Sequence, residues 1–287
     1  MTFGAKLATA MDQWGPLCVG IDPHPELLAR WGLPDTAESL VSFSDTILEA
    51  SVRSCAAVKP NAAFFERHGA RGMAALEHLL RRARELDIIT ILDVKRGDIG
   101  STMEGYADAY LSPGAPLEAD AITVSPYLGV GSLKPAFELA DHAGKGVFVL
   151  ALTSNPEGHE VQHAIGANGM AVATQVALAV AEMNAGARPM GNVGLVVGAT
   201  VGDAVARLGI NLDSVNGPLL APGVGAQGAG PAHIAEVFGS SRARVLVSQS
   251  RSVLSAGPFV EKLRGAIHAA AGAAQYILHA DPSGELD

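Results

Sequence analysis

Eight short apolar runs, at residues 16–21, 55–58, 88–92, 121–124, 147–152, 193–197, 218–221 and 245–247, recur along the chain with longer helix-patterned stretches between them. Each run has strand length. The stretches 40–53, 73–86, 170–184 and 259–274 repeat apolar residues at intervals of three and four, the period of a helix with one buried face. Alternation of this kind predicts parallel strands joined by crossover helices, because a parallel neighbour can be reached only by a long return path. Eight such units in 287 residues favour a closed (β/α)8 barrel over an open doubly wound sheet. No linker interrupts the series. Residues 1–280 are therefore expected to form a single barrel, with 281–287 as a frayed tail.

A barrel places its chemistry at the C-terminal ends of the strands and in the loops that follow. Polar residues stand there in this chain: Asp22, Lys59 and Asn61, residues 93–98, Ser125, Ser154 and Asn155, Thr200, Gln227 and Arg251, in strand order. The densest group closes the run Ile88-Ile-Thr-Ile-Leu-Asp-Val-Lys-Arg-Gly-Asp98. Side chains alternate across a strand, so Asp93 and Lys95 share a face, and Gly97 lets the chain turn and return Asp98 toward them. Unit charges about 4 Å apart interact by roughly 4 kcal/mol at an effective dielectric near 20, so such a group holds its geometry and sets up a strong local field. One reading is a salt-bridge network that closes the barrel rim. The other is an alternating array of Lys59, Asp93, Lys95 and Asp98, in which the carboxylates keep Lys95 protonated and aimed at developing negative charge.

Other features carry weaker signals. The loop Pro222-Gly-Val-Gly-Ala-Gln-Gly-Ala-Gly230 contains a GxGxxG spacing, but it neither opens the first βαβ unit nor carries an acidic residue about 20 positions on, as a dinucleotide site would. In a barrel, the loops after strands seven and eight bind phosphate through backbone N–H groups, and Arg251 would add a charged fork; a ligand-free glycine turn is the alternative. His159-Glu-Val-Gln-His163 matches HExxH, yet it lies between glycines without a firm helix or a third ligand, so it is expected to be lid or loop rather than a zinc site. Asp22 can cap the following turn or accept hydrogen bonds from sugar hydroxyls. Ser154 can cap a loop or meet a ligand, and Thr102 can stabilise a helix start.

A formal net charge of −9 argues against general nucleic-acid or anionic-membrane binding. The two cysteines, Cys18 and Cys55, sit in apolar runs and are expected to be buried reduced thiols. With no basic leader and no apolar stretch of spanning length, a cytoplasmic protein is expected.

Asp93-Val-Lys-Arg-Gly-Asp98 followed by Ile99-Gly-Ser-Thr102, with Val58-Lys-Pro-Asn-Ala-Ala-Phe-Phe-Glu66 upstream, resembles the orotidine 5′-phosphate decarboxylase family, in the form of its longer bacterial subgroup. The resemblance runs from the first strand through the eighth. It implies that Lys95 donates a proton to pyrimidine C6, with Asp93, Lys59 and Asp98 completing the charged network. It further implies that Asp22 and Lys59 contact ribose hydroxyls, Ser154 the pyrimidine edge, Gln227 the region between base and phosphate, and Arg251 the phosphate. Asp98 and Thr102 would reach the site across a homodimer interface. The implied reaction converts orotidine 5′-phosphate to UMP and CO2 with no metal and no organic cofactor. The eighth strand ends Val-Ser-Gln-Ser-Arg251-Ser, unlike the Gly-Arg-Ser of shorter members.

Three rival readings share these residues. A Mg²⁺-dependent sugar-phosphate decarboxylase or aldolase can carry the same DxKxxD pattern. A Schiff-base aldolase would need a neutral lysine, which the flanking carboxylates oppose. A catalytically silent barrel could bind a phosphorylated metabolite.

Overall fold

The computed structural model describes residues 1–224 and 229–280, so Gln227 and the expected tail at 281–287 lie outside the described residues. Eight strands form one sheet: Leu17–Ile21 (β1), Ala57–Pro60 (β2), Ile91–Arg96 (β3), Ala121–Val124 (β4), Gly146–Leu152 (β5), Val193–Val197 (β6), Leu219–Pro222 (β7) and Val245–Gln249 (β8). All pairings are parallel, in the order β2-β1-β8-β7-β6-β5-β4-β3. Bridges between Val58 and Thr90 and between Asn61 and Asp93 close β2 onto β3. The result is the (β/α)8 barrel that the alternation predicts, with helices such as Ala37–Ser51, Gly69–Glu85 and Val260–His279 outside it. The last of these packs on Ala37–Ser51, so the helical ring closes as the sheet does. Thr36 starts the Ala37–Ser51 helix by accepting a hydrogen bond from Ser39 N at 3.3 Å.

Period-two alternation sorts the strand residues into two cores. Outward-facing residues such as Val19, Val58, Leu92, Ile122, Leu195 and Val247 pack against the helices. Inward-facing residues, among them Cys18, Ala57, Ile91, Ala121, Phe148, Leu220 and Leu246, form a second core inside the barrel. That inner core is capped by the helix Phe3–Trp14, an element not expected from the apolar runs. Phe3, Leu7 and Met11 recur at intervals of four and are buried, so one face of this helix plugs the barrel's N-terminal end. The Phe3 ring meets Phe148 edge-on at 6.0 Å, and a Cβ on Gly146 would lie 2.3 Å from the same ring. Phe3→Ala is expected to cost about 3–5 kcal/mol, since the ring fills a site with no replacement atoms. Urea melts read this directly. Turnover of the folded fraction should persist, because the plug lies at the end opposite the cavity described below.

Both cysteines are free and buried, as their apolar context suggests. Burial pushes the Cys55 thiol up to about 12, leaving it neutral and unreactive. Among the described residues no helix is long and apolar enough to cross a membrane.

Candidate active site

The alternation that builds the inner core also builds the site. Two residues beyond each inward apolar position, on the same face, stand Gly20 (from Cys18), Lys59 (from Ala57), Asp93 (from Ile91), Thr123 (from Ala121), Leu150 (from Phe148) and Ser248 (from Leu246). Of these, Lys59, Asp93, Thr123, Leu150 and Ser248 line a cavity of about 1320 Å³ at the C-terminal mouth. Asp22, Lys95, Ser154 and Arg251 line it too. A single cavity therefore collects six of the nine residues to which the resemblance assigns a role.

At its floor, charges alternate in a row. Lys59 Nζ donates to Asp93 Oδ2 at 3.0 Å and Lys95 Nζ donates to Asp93 Oδ1 at 2.6 Å. Thr123 Oγ1 also donates to Asp93 Oδ1, at 2.8 Å. Burial by itself would raise the Asp93 carboxyl, but the ammonium groups of Lys59 and Lys95 and these hydrogen bonds outweigh it, holding the group well below the usual carboxylate range. Burial likewise works against the Lys59 ammonium, yet Asp93 and Asp22 hold it above the usual lysine range. The two lysines differ in access: the Lys59 side chain is 10% exposed and that of Lys95 is 52% exposed. Lys59 is a fixed internal charge, whereas Lys95 presents its ammonium to the open cavity.

Lys95 adopts φ +45°, in the left-handed region that costs a side-chain-bearing residue about 1–3 kcal/mol and persists only where the surroundings over-determine it. They do so here. Lys95 N donates to Thr123 Oγ1 at 3.0 Å, and Arg96 donates to Val94 O at 3.1 Å while pairing with the Glu66 carboxylate. The Arg96 guanidinium also lies 5.6 Å from the centre of the Tyr106 ring. Gly97 passes so close to β4 that a Cβ would sit 2.3 Å from Ser125 O. The strand register shifts between Leu92 and Arg96 as a result.

This kink redirects the chain, and Asp98 does not return to the cluster within the same chain, as the expected turn at Gly97 would have it. Its Oδ1 accepts instead from Ile99 N at 2.8 Å, and neither it nor Thr102, which is exposed on the helix Gly100–Leu111, lines the cavity. Ser125 and Thr200 are also absent from the lining, because the inward position on β4 is Thr123 and that after β6 is Gly198. Asn61 turns to cap the next helix, accepting from Ala63 N at 3.3 Å. Thr123 was legible only through its spacing from Ala121 inside an apolar run.

Elsewhere in the cavity, polar groups lack partners. Asp22 Oδ1 and Ser250 Oγ are buried and have no hydrogen-bond partner among the described residues. A carboxylate oxygen placed in this way is free to accept a further hydrogen bond. Ser154, just past β5, and Arg251, at the start of the short helix Arg251–Leu254, complete the wall on two other sides. His159 and His163 of the HExxH match lie on a single helical turn with their rings stacked 4.2 Å apart. Among the described residues no group of three His, Cys, Asp or Glu side chains is arranged to hold a metal.

Comparison with known proteins agrees with this arrangement. The model of the orotidine 5′-phosphate decarboxylase / HUMPS family matches residues 15–266. The orotidine 5′-phosphate decarboxylase of Salinispora tropica is 58% identical over 265 residues, 92% of this chain and 94% of that one. That of Streptomyces coelicolor is 55% identical over 265 residues, with the same coverage. Among solved structures, a Streptomyces avermitilis protein is 53% identical with a TM-score of 0.93, covering 97% of this chain and 96% of its own. The OMP decarboxylase of Leishmania donovani is 32% identical with a TM-score of 0.77, covering 98% and 100%. With the family model spanning every strand and relatives above half identity over nine-tenths of its length, the chain belongs to the orotidine 5′-phosphate decarboxylase family.

Proposed function

We propose that the cavity decarboxylates orotidine 5′-phosphate to UMP and CO2, the last step in making UMP, with no metal ion or organic cofactor. The observation that carries this reading is the row Lys59–Asp93–Lys95, in which one buried carboxylate fixes two ammonium groups at the floor of a cavity of about 1320 Å³. When the C6–carboxylate bond breaks, its electron pair stays on C6 with little resonance relief. The Lys95 ammonium stabilises that pair and then transfers a proton to C6, becoming a neutral amine that recovers its proton from solvent. Because Asp93 and Thr123 hold the amine and its backbone in place before substrate arrives, little reorganisation is needed as charge develops.

Asp22 and Lys59 would take the ribose hydroxyls, which fits the unpaired Asp22 Oδ1. Ser154 would read the pyrimidine edge, and Arg251, with Gln227 between base and phosphate, would hold the phosphate. Asp98 and Thr102 would complete the site of a second copy in a homodimer. Their place outside their own cavity supports this, as do the exposed apolar residues Ile99, Tyr127 and Leu128 on the neighbouring loops. Free, neutral thiols fit a cytoplasmic setting. The Mg²⁺-dependent and non-catalytic alternatives find no support among relatives 45–58% identical to this chain, which are named for the decarboxylase.

The test is loss of orotate absorbance when purified protein meets orotidine 5′-phosphate in EDTA. Conversion to UMP is the expected result. Folded protein that converts nothing until Mg²⁺ and a sugar phosphate are supplied would move the assignment to the metal-dependent branch.

A further inference from the structure

The segment His159-Glu-Val-Gln-His163, unsuited to zinc, contributes a residue that the proposed reaction has not yet used. β5 ends at Leu152, so the next backbone N–H, that of Thr153, has left the strand ladder and needs another acceptor. Gln162 supplies it: Oε1 accepts from Thr153 N at 2.9 Å, while Nε2 donates to Thr153 Oγ1 at 2.7 Å. One primary amide thus takes both polar groups of the residue immediately before Ser154. Thr153 Oγ1 in turn donates to Asn155 Oδ1 at 2.7 Å, and Asn155 Nδ2 donates to Glu157 Oε2 at 3.0 Å. Residues on both sides of Ser154 are therefore tied into one chain of hydrogen bonds, and Ser154 itself is left facing the cavity.

Two close approaches make the latch possible. A Cβ on Gly158 would stand 2.7 Å from Thr153 Oγ1 and 3.1 Å from each terminal atom of the Gln162 amide, so a side chain there would press on the latch. Gly198, the residue just after β6, also approaches closely: a Cβ there would lie 3.2 Å from Ser154 N. Ser154 is held between the latch and the end of β6.

We propose that Gln162 is a positioning residue for Ser154: by engaging both polar groups of Thr153 it fixes the peptide that aims the Ser154 hydroxyl at the bound pyrimidine. This rests on the decarboxylase reading above, and it makes the segment after β5 part of the recognition of the base. A hydroxyl displaced by about 1 Å can cost on the order of 100-fold in rate even though nothing touching substrate has been removed.

The test is a double-mutant cycle on the full chain with orotidine 5′-phosphate as substrate. Gln162→Leu leaves an apolar branched side chain one atom shorter and removes both hydrogen bonds; it is expected to lower kcat/KM by about 10- to 100-fold. Gln162→Glu retains the acceptor for Thr153 N and should recover part of that loss. In a Ser154→Ala background, Gln162→Leu should change kcat/KM by less than about twofold, because the group it positions is gone. An unchanged Gln162→Leu enzyme overturns the proposal, as does the same fold loss with and without Ser154, which would mean a general structural role. If Gln162→Leu melts below the assay temperature, Thr153→Val removes the hydroxyl half of the latch and is read in the same cycle, with a smaller loss expected. Wild-type protein that fails to turn over the substrate sinks the functional reading, whereas active wild type with additive variants sinks the latch alone.

Discussion

Lys95→Ala is expected to abolish measurable decarboxylation while leaving a folded protein. One ammonium is assigned two tasks, stabilising the electron pair at C6 and protonating it. Loss of a preorganised electrostatic donor costs about 10²–10³ in kcat. Loss of a positioned general acid costs about 10²–10⁴. Because both are removed together, a fall of at least 10⁴-fold is expected, in kcat rather than in KM. Stability should change little: the side chain is half exposed, and Asp93 keeps both Lys59 and Thr123 as partners. Matching melting curves for variant and wild type, with single-turnover rates beside them, check both halves. A Lys95→Ala enzyme within tenfold of wild type would show that the proton comes from elsewhere.

Lys59→Met should behave in the opposite manner, losing stability as well as activity. It leaves Asp93 buried with one of its two cationic partners gone, and breaking a buried pair in this way costs about 3–5 kcal/mol. The pH dependence follows from the direction of each shift. Asp93 is depressed when folded, so its contribution is complete above the unfolded value of about 3.9 and is lost as pH falls through the folded value. Lys59 is raised, so its contribution is complete below the unfolded value of about 10.4 and is lost as pH rises through the folded value. Across the neutral range the pair contributes a constant amount. Without Lys59, burial has less opposing it and the Asp93 carboxyl moves up, so the acid unfolding midpoint of Lys59→Met should shift to higher pH. Urea melts at a series of pH values would show it, and an unshifted acid limb would mean that Lys95 and Thr123 alone hold the carboxylate.

The architecture was legible because burial on both sides writes each barrel strand as an unbroken apolar run. The same rule explains where the boundaries fell short. Reading for apolar residues ends the second strand at Val58, the third at Leu92 and the eighth at Val247, whereas the strands continue to Pro60, Arg96 and Gln249. In each case the missing residues include one that faces inward and is polar, Lys59, Asp93 or Ser248, so the site lies on strand residues that hydrophobicity assigns to loops. Thr123 was hidden by the converse effect, a polar residue inside an apolar run, and only its spacing from Ala121 marks it. The N-terminal plug was signalled by Phe3, Leu7 and Met11 at fourfold spacing behind a Thr2 cap, but a short helix before the first strand has no place in the βα alternation. Asp98 could not be placed by alternation, because one residue in the left-handed region re-aims everything after it. Gln162 was beyond sequence reasoning altogether: its partner is nine residues away across a turn whose tightness depends on Gly158.

The backbone of Lys95 has a consequence for how this barrel can be improved. At φ +45° glycine is the relaxed residue, and replacing a side-chain-bearing residue there gains about 1 kcal/mol. A library selected for thermal tolerance alone would therefore enrich glycine at position 95 and return robust barrels that lack the proposed proton donor. Selection for resilience and selection for turnover pull this single codon in opposite directions, so any hardening of the scaffold must begin by withholding it from the library.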